Sequence, residues 1–107
     1  MRILFDQGTP APLRYHLLGH QVALAFEQGW SRLENGELLS AAETAGFEVF
    51  ITTDKNLRYQ QNLSHRKIAL IVLSTPSWPR VQRMTGEILL SLQTIKLNDY
   101  LEIEVPW

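Results

Sequence analysis

Short apolar runs, separated by polar links rich in glycine and proline, divide this chain. The runs Arg2–Phe5 (RILF), Phe47–Thr52 (FEVFIT) and Lys67–Leu73 (KIALIVL) are almost unbroken in Ile, Leu, Val and Phe. A run without alternation is buried on both faces, as strands of a parallel sheet are. Two weaker segments accompany them. His20–Ala25 predicts a further strand. Tyr100–Val105 alternates apolar and acidic residues and predicts an exposed edge strand.

Between these runs the period changes. Thr9, Pro10 and Gly19 bracket a short helix, with Thr9 as its cap, Pro10 at its first position and Gly19 at its end. In NGELLSAAETAG, Leu38, Leu39, Ala42 and Ala45 share one face, Asn35 is placed to cap, Glu37 falls in the first turn, and Gly46 stops the helix. The polar stretch after Asp54 predicts another short helix. RVQRMTGEILLSLQTI predicts a last one, with Val81, Met84, Ile88, Leu89, Leu92 and Ile95 near one side. Strand and helix therefore alternate along the chain. That order predicts an α/β fold, a three-layer α/β/α sandwich with a mostly parallel central sheet, as a single domain over residues 1–107.

Composition narrows the function classes. The chain has 107 residues, 45% of them hydrophobic and 20% charged, the balance of an ordinary globular domain. Ten basic and eleven acidic residues leave a net charge of −1, which argues against a strongly basic nucleic-acid coat but allows a local basic patch. Without cysteine there can be neither a disulfide nor a thiolate zinc site. MRILFDQG turns acidic too soon for a signal peptide, and no stretch has the apolar length of a membrane span. A cytoplasmic protein with no membrane partner is the expectation.

Ligands of open α/β sheets bind beyond the carboxyl ends of the strands. The strong strands end at Asp6, at Thr52-Thr53-Asp54 and at Ser74-Thr75. Two strands thus deliver a carboxylate to one edge. Two such carboxylates repel unless a cation lies between them or one is protonated, and oxygen donors favour Mg²⁺ or Mn²⁺. Glu37 is the candidate third acid, from the first turn of its helix. The plainer assignment makes each aspartate a turn former or cap, and Glu37 a surface residue favoured by the helix dipole. Behind Asp54, KNLRYQQN is either a solvated polar helix or a substrate platform, with Lys55 and Arg58 meeting phosphate and amides such as Gln61 meeting sugar or base edges. The histidines have no zinc spacing, the glycines form no phosphate loop, and the serines lie in no nucleophile elbow. Trp30, Trp78 and Trp107 suit base stacking or, more simply, core and interface packing.

ILFDQGTP, NGELLSAAETAGFEVFITTDKNL and KIALIVL, in that order, resemble the small PIN-like domains, compact relatives of the PIN-domain nucleases found in many bacterial toxin–antitoxin pairs. The likeness covers Met1 to Pro79, and its motifs are informative through their order. It implies that Asp6, Glu37 and Asp54 are the catalytic acids and hold Mg²⁺ or Mn²⁺, which activates water to cut RNA. It also implies that Thr52 or Thr53 orients Asp54, and that an antitoxin protein is a partner. Relatives often carry a second acid two residues after the turn aspartate. Here that position is Asn56, which can offer a carbonyl oxygen to the metal but no charge and no base.

Three functions compete on this footing. The first is a metal-dependent ribonuclease, the toxin of a pair. The second is a catalytically silent PIN-like module that binds RNA or a protein through residues 55–62. The third, a receiver-like signalling domain, needs a lysine at a late strand end, and LIVLST has none. The final segment DYLEIEVPW offers either a homodimer interface or a tail packed on its own chain.

Overall fold

The computed structural model describes residues 1–57 and 63–107. The strands are β1 (Arg2–Phe5), β2 (Gln21–Leu24), β3 (Val49–Thr52), β4 (Ala69–Leu73) and β5 (Tyr100–Ile103). They form one sheet in the order β2-β1-β3-β4-β5. All four pairings are parallel, so the sheet is wholly parallel where a mostly parallel one was expected. β3 and β4 are buried along their whole length, as unbroken apolar runs require. β2 and β5 take the edges and are only partly covered.

Alternate strand residues feed two cores. Ile3, Phe5, Val49, Ile51, Ile71 and Leu73 face one side, against Leu13, Leu17, Val81, Ile88 and Leu92. Leu4, Phe50 and Leu70 face the other, against Leu38, Leu39 and Ala42. Helix α1 (Asn35–Thr44) therefore covers one face. The 3-10 helix Ala11–His16 and the helices α2 (Trp78–Val81) and α3 (Thr85–Thr94) cover the opposite one. This is the expected α/β sandwich.

Several local expectations are corrected. The first helix is a 3-10 helix whose cap position is Pro10, and Thr9 does not cap it. Thr9 is buried and turns its hydroxyl to Asp6 and to the Ile51 carbonyl instead. Glu34, not Asn35, is the residue before α1. The last helix is broken into α2, a 3-10 turn at Gln82–Met84, and α3. Apolar periodicity continues across that break, which is why the sequence conceals it. Gly46 has positive φ directly after the C-cap Ala45 of α1, as expected, whereas the first helix is capped by Leu17 and Gly19, also at positive φ, lies in the turn beyond it. Arg80 donates to the carbonyls of Val105 and Pro106, and its guanidinium lies 3.8 Å from the centre of the Trp107 ring. The tail is thus packed on its own chain, although Trp107 remains 94% exposed. Among the described residues no helix is long and apolar enough to cross a membrane.

Candidate functional site

The order β2-β1-β3 means that the chain leaves β1 towards one edge and later returns to pair on its other side. Such a reversal opens a crevice beyond the carboxyl ends of the two strands concerned, here β1 and β3. Phe5 is the register partner of Ile51. One residue further on, Asp6 and Thr52 stand side by side. The parallel register alone thus brings the first aspartate to the threonine of the ITTD turn.

The Thr52 hydroxyl donates a short hydrogen bond to Asp6 Oδ2. It also accepts the backbone N–H of Asp54 at 3.1 Å. One buried hydroxyl, 1% exposed, therefore joins the two aspartate loops. Asp6 Oδ1 accepts from the Thr9 N–H at 3.0 Å and lies 2.7 Å from the Thr9 hydroxyl. That hydroxyl is also 2.8 Å from the Ile51 carbonyl, and its single proton serves one acceptor at a time. Asp54 Oδ1 accepts the Asn56 N–H at 3.0 Å, an Asx turn. Asp54 Oδ2 accepts from the Asn35 amide at 2.9 Å. Each aspartate thus gives one oxygen to its own turn and the other to a neighbouring element. The result is one network running from α1 through β3 to β1.

Asp6, Thr52 and Asp54 come together. Glu37 does not join them: its Oε1 faces the Glu34 N–H at 3.4 Å, at the start of its own helix. Among the described residues, no three His, Asp or Glu side chains gather into a group fit for a metal ion. Of the three expected acids, Asp6 and Asp54 are joined through Thr52, and Glu37 stands apart. Thr52 bonds to Asp54 at its backbone N–H and not at its carboxylate, which the Asn35 amide and the Asn56 N–H hold instead. Thr53 Oγ1 lies against Gly8, where a Cβ would come within 2.7 Å of it. Asn56 is exposed and contributes its N–H. Lys55 is exposed beside Ser74, Glu102 and Glu104, around a small cavity of about 170 Å³ on the β4–β5 side. Arg58 and Gln61, and the short helix expected after Asp54, fall in residues 58–62, outside the described residues.

Asn35 and Thr9 are the residues that sequence reasoning misassigned. Both have cap-forming side chains next to predicted helices, and both are used across elements instead. Only the packing of α1 over β3 brings Asn35 to Asp54, so no local signal announces it.

A cavity of about 580 Å³ opens next to Asp6, between the ends of β1 and β2 and the segment after β4; its walls include Gly8, Thr9, Pro10, Phe26, Ser31 and Pro76. The wall that carries Phe26 is the 3-10 helix Ala25–Gln28. Glu27 fixes it, accepting the Leu24 N–H at 2.9 Å and both terminal nitrogens of Arg14 at 2.9 and 3.0 Å. The Arg14 hydrogen bond, then that of Leu24, holds the Glu27 carboxyl below its ordinary range. The same hydrogen bond raises Arg14.

Comparison of the chain with protein-family models, with curated proteins and with solved structures finds no match to any of them.

Proposed function

We propose that this chain is a metal-dependent ribonuclease of PIN-like type, with Asp6 and Asp54 as the residues that hold Mg²⁺ or Mn²⁺. The observation that carries this reading is the Asp6–Thr52–Asp54 network at the crevice between β1 and β3. The donor set fits such an ion: it is all oxygen, and Mg²⁺ is commonly held by one or two carboxylates, with water and substrate phosphates completing its shell. When bound, the ion lowers the pKa of a water and offsets charge on the transferring phosphate. The chain's own residues do the rest. Thr52 and Thr9 hold the Asp6 carboxylate, and Asn35 and Asn56 hold that of Asp54. With their torsions set in advance, the carboxylates need no reordering when a cation arrives. The role of toxin, and an antitoxin protein as partner, rest on the resemblance of the motifs.

The test is titration of the purified protein with Mn²⁺ by calorimetry, alongside cleavage of single-stranded RNA with and without chelator. Wild type binds Mn²⁺ and cleaves; Asp6→Asn and Asp54→Asn lose both. Cleavage that survives in the two variants sinks the reading.

A second reading has its own support. The Asp54 carboxylate accepts from the Asn35 side-chain amide and the Asn56 backbone N–H, and Glu37 is engaged by its own helix. A site with two acids suits a silent module that binds RNA or a protein without turnover. Undiminished RNA binding in chelator, with no cleavage in Mn²⁺, would select it.

A further inference from the structure

The cavity beside Asp6 has a composition unlike that of the carboxylate network it adjoins. Among its described walls Asp6 is the only ionisable side chain, and no Lys or Arg is present. A phosphate entering it would meet an anion and no counter-charge. What the walls do offer is flat apolar surface from Phe26, Pro10 and Pro76, with Ser31 at hand for a polar contact. Its volume of about 580 Å³ falls in the range of small-molecule sites, roughly 300–1,000 Å³.

Phe26 itself contributes little to folding. It is 61% exposed, while its neighbour Ala25 is 2% exposed and anchors the 3-10 helix in the core. Single exposed apolar residues are common and need no explanation. This one lines a cavity and is carried on a braced helix. The Arg14–Glu27 pair, the Glu27 bond to Leu24 and the Trp30 N–H bond to the Ala25 carbonyl fix its helix from three directions. Each of the three tryptophans already has a ring or cation partner, and none of them lines this cavity. Trp30 packs edge-on against Phe47 with centroids 6.1 Å apart, Trp78 lies 5.3 Å from His16, and Trp107 lies under Arg80.

We propose that this cavity is a nucleobase subsite, in which one unpaired base of a single-stranded RNA stacks on Phe26 while its phosphate stays outside, towards the crevice of Asp6 and Asp54. An uncharged planar ring is the part of a nucleotide that suits an apolar pocket with one acidic wall. Bases stack on aromatic rings with little sequence preference. The proposal rests on the nuclease reading for its ligand class, and adds to it where the base goes and which residue holds it.

The experiment measures binding of a fluorescein-labelled single-stranded RNA hexamer by anisotropy, in EDTA and in Mn²⁺. Wild type is compared with Phe26→Ala, Phe26→Leu and Phe26→Trp. Loss of one base–aromatic stack weakens binding by about tenfold or more in the Ala and Leu variants, and Trp retains it. In a set of hexamers with one abasic position each, one member shows no difference between wild type and Phe26→Ala. Thermal melting and Mn²⁺ affinity stay at wild-type values in all three variants, since the ring supports neither. If the Ala and Leu variants bind RNA as tightly as wild type, or wild type binds no RNA, the subsite is overturned. Cleavage by wild type in Mn²⁺ is scored separately. Cleavage without dependence on Phe26 ends the subsite and keeps the nuclease. Binding that depends on Phe26, without cleavage, ends the nuclease and keeps the subsite.

Discussion

At the scale of single residues, the hydroxyl of Thr52 decides how the two aspartates stand. It donates to Asp6 and accepts from Asp54 while 1% exposed. Thr52→Val keeps the shape and the strand preference but leaves the Asp54 N–H unpaired and takes a donor from Asp6. The expected cost is about 1–3 kcal/mol, read from urea unfolding. Under the proposed metal site, the same variant lowers Mn²⁺ affinity about 10–100-fold, the effect of removing a partner of a metal ligand. Thr52→Ser should recover most of both, which separates the hydroxyl from mere packing. The sequence contains TTD but does not say which threonine matters. The parity of β3 does: Thr52 shares the face of Phe50 and is buried, whereas Thr53 is turned to Gly8.

At the scale of elements, two short pieces depend on a single residue each. Helix α1 is stopped by Gly46, the residue after its C-cap Ala45, whose φ is +87°. An L-residue there costs about 1–2 kcal/mol. A Cβ would also come within 2.9 Å of Arg2 Nη1, the group that donates to the Ala45 carbonyl. Gly46→Ala should therefore lower stability by at least about 1 kcal/mol in chemical unfolding. The 3-10 helix of Phe26 depends on Glu27. Because the Arg14 hydrogen bond depresses the Glu27 carboxyl, the folded state binds this proton less readily than the unfolded one. Its stabilisation is complete above the ordinary value of 4.5 and is lost as pH falls through the depressed value. The stability difference between wild type and Glu27→Gln should thus be largest near neutral pH and vanish in acid, in melts recorded across that range. The Gly46 stop was legible in the chain, since a helix end followed by glycine is a local signal. The Arg14–Glu27 pair was not. It joins residues thirteen positions apart across β2, and no pattern within either segment points to the other.

At the scale of the whole molecule, the central strands carry the stability. Ile71, fully buried in β4, is the counterpart of an exposed residue such as Leu90 on α3. Ile71→Ala should cost about 2–5 kcal/mol, a large share of the 5–15 kcal/mol typical of a domain. Leu90→Ala should change stability by no more than about 0.5 kcal/mol. Amide exchange should rank the same way, slowest in β3 and β4 and fastest at the β5 edge. The five strands, their parallel association and the placement of Tyr100–Ile103 at an edge were legible from the apolar runs. Burial on two faces demands unbroken hydrophobicity, and exposure on one demands alternation. So was the delivery of Asp6 and Asp54 to one edge, because every parallel strand ends on the same side. What only the tertiary structure decided is which groups meet there. The strand order put β1 beside β3, the register put Asp6 beside Thr52, and the packing of α1 brought Asn35 to Asp54 while leaving Glu37 at its own helix end. Those are contacts between segments far apart in the chain. Hydrophobic pattern and capping preference act locally, so they can place a carboxylate on an edge but cannot choose its neighbours.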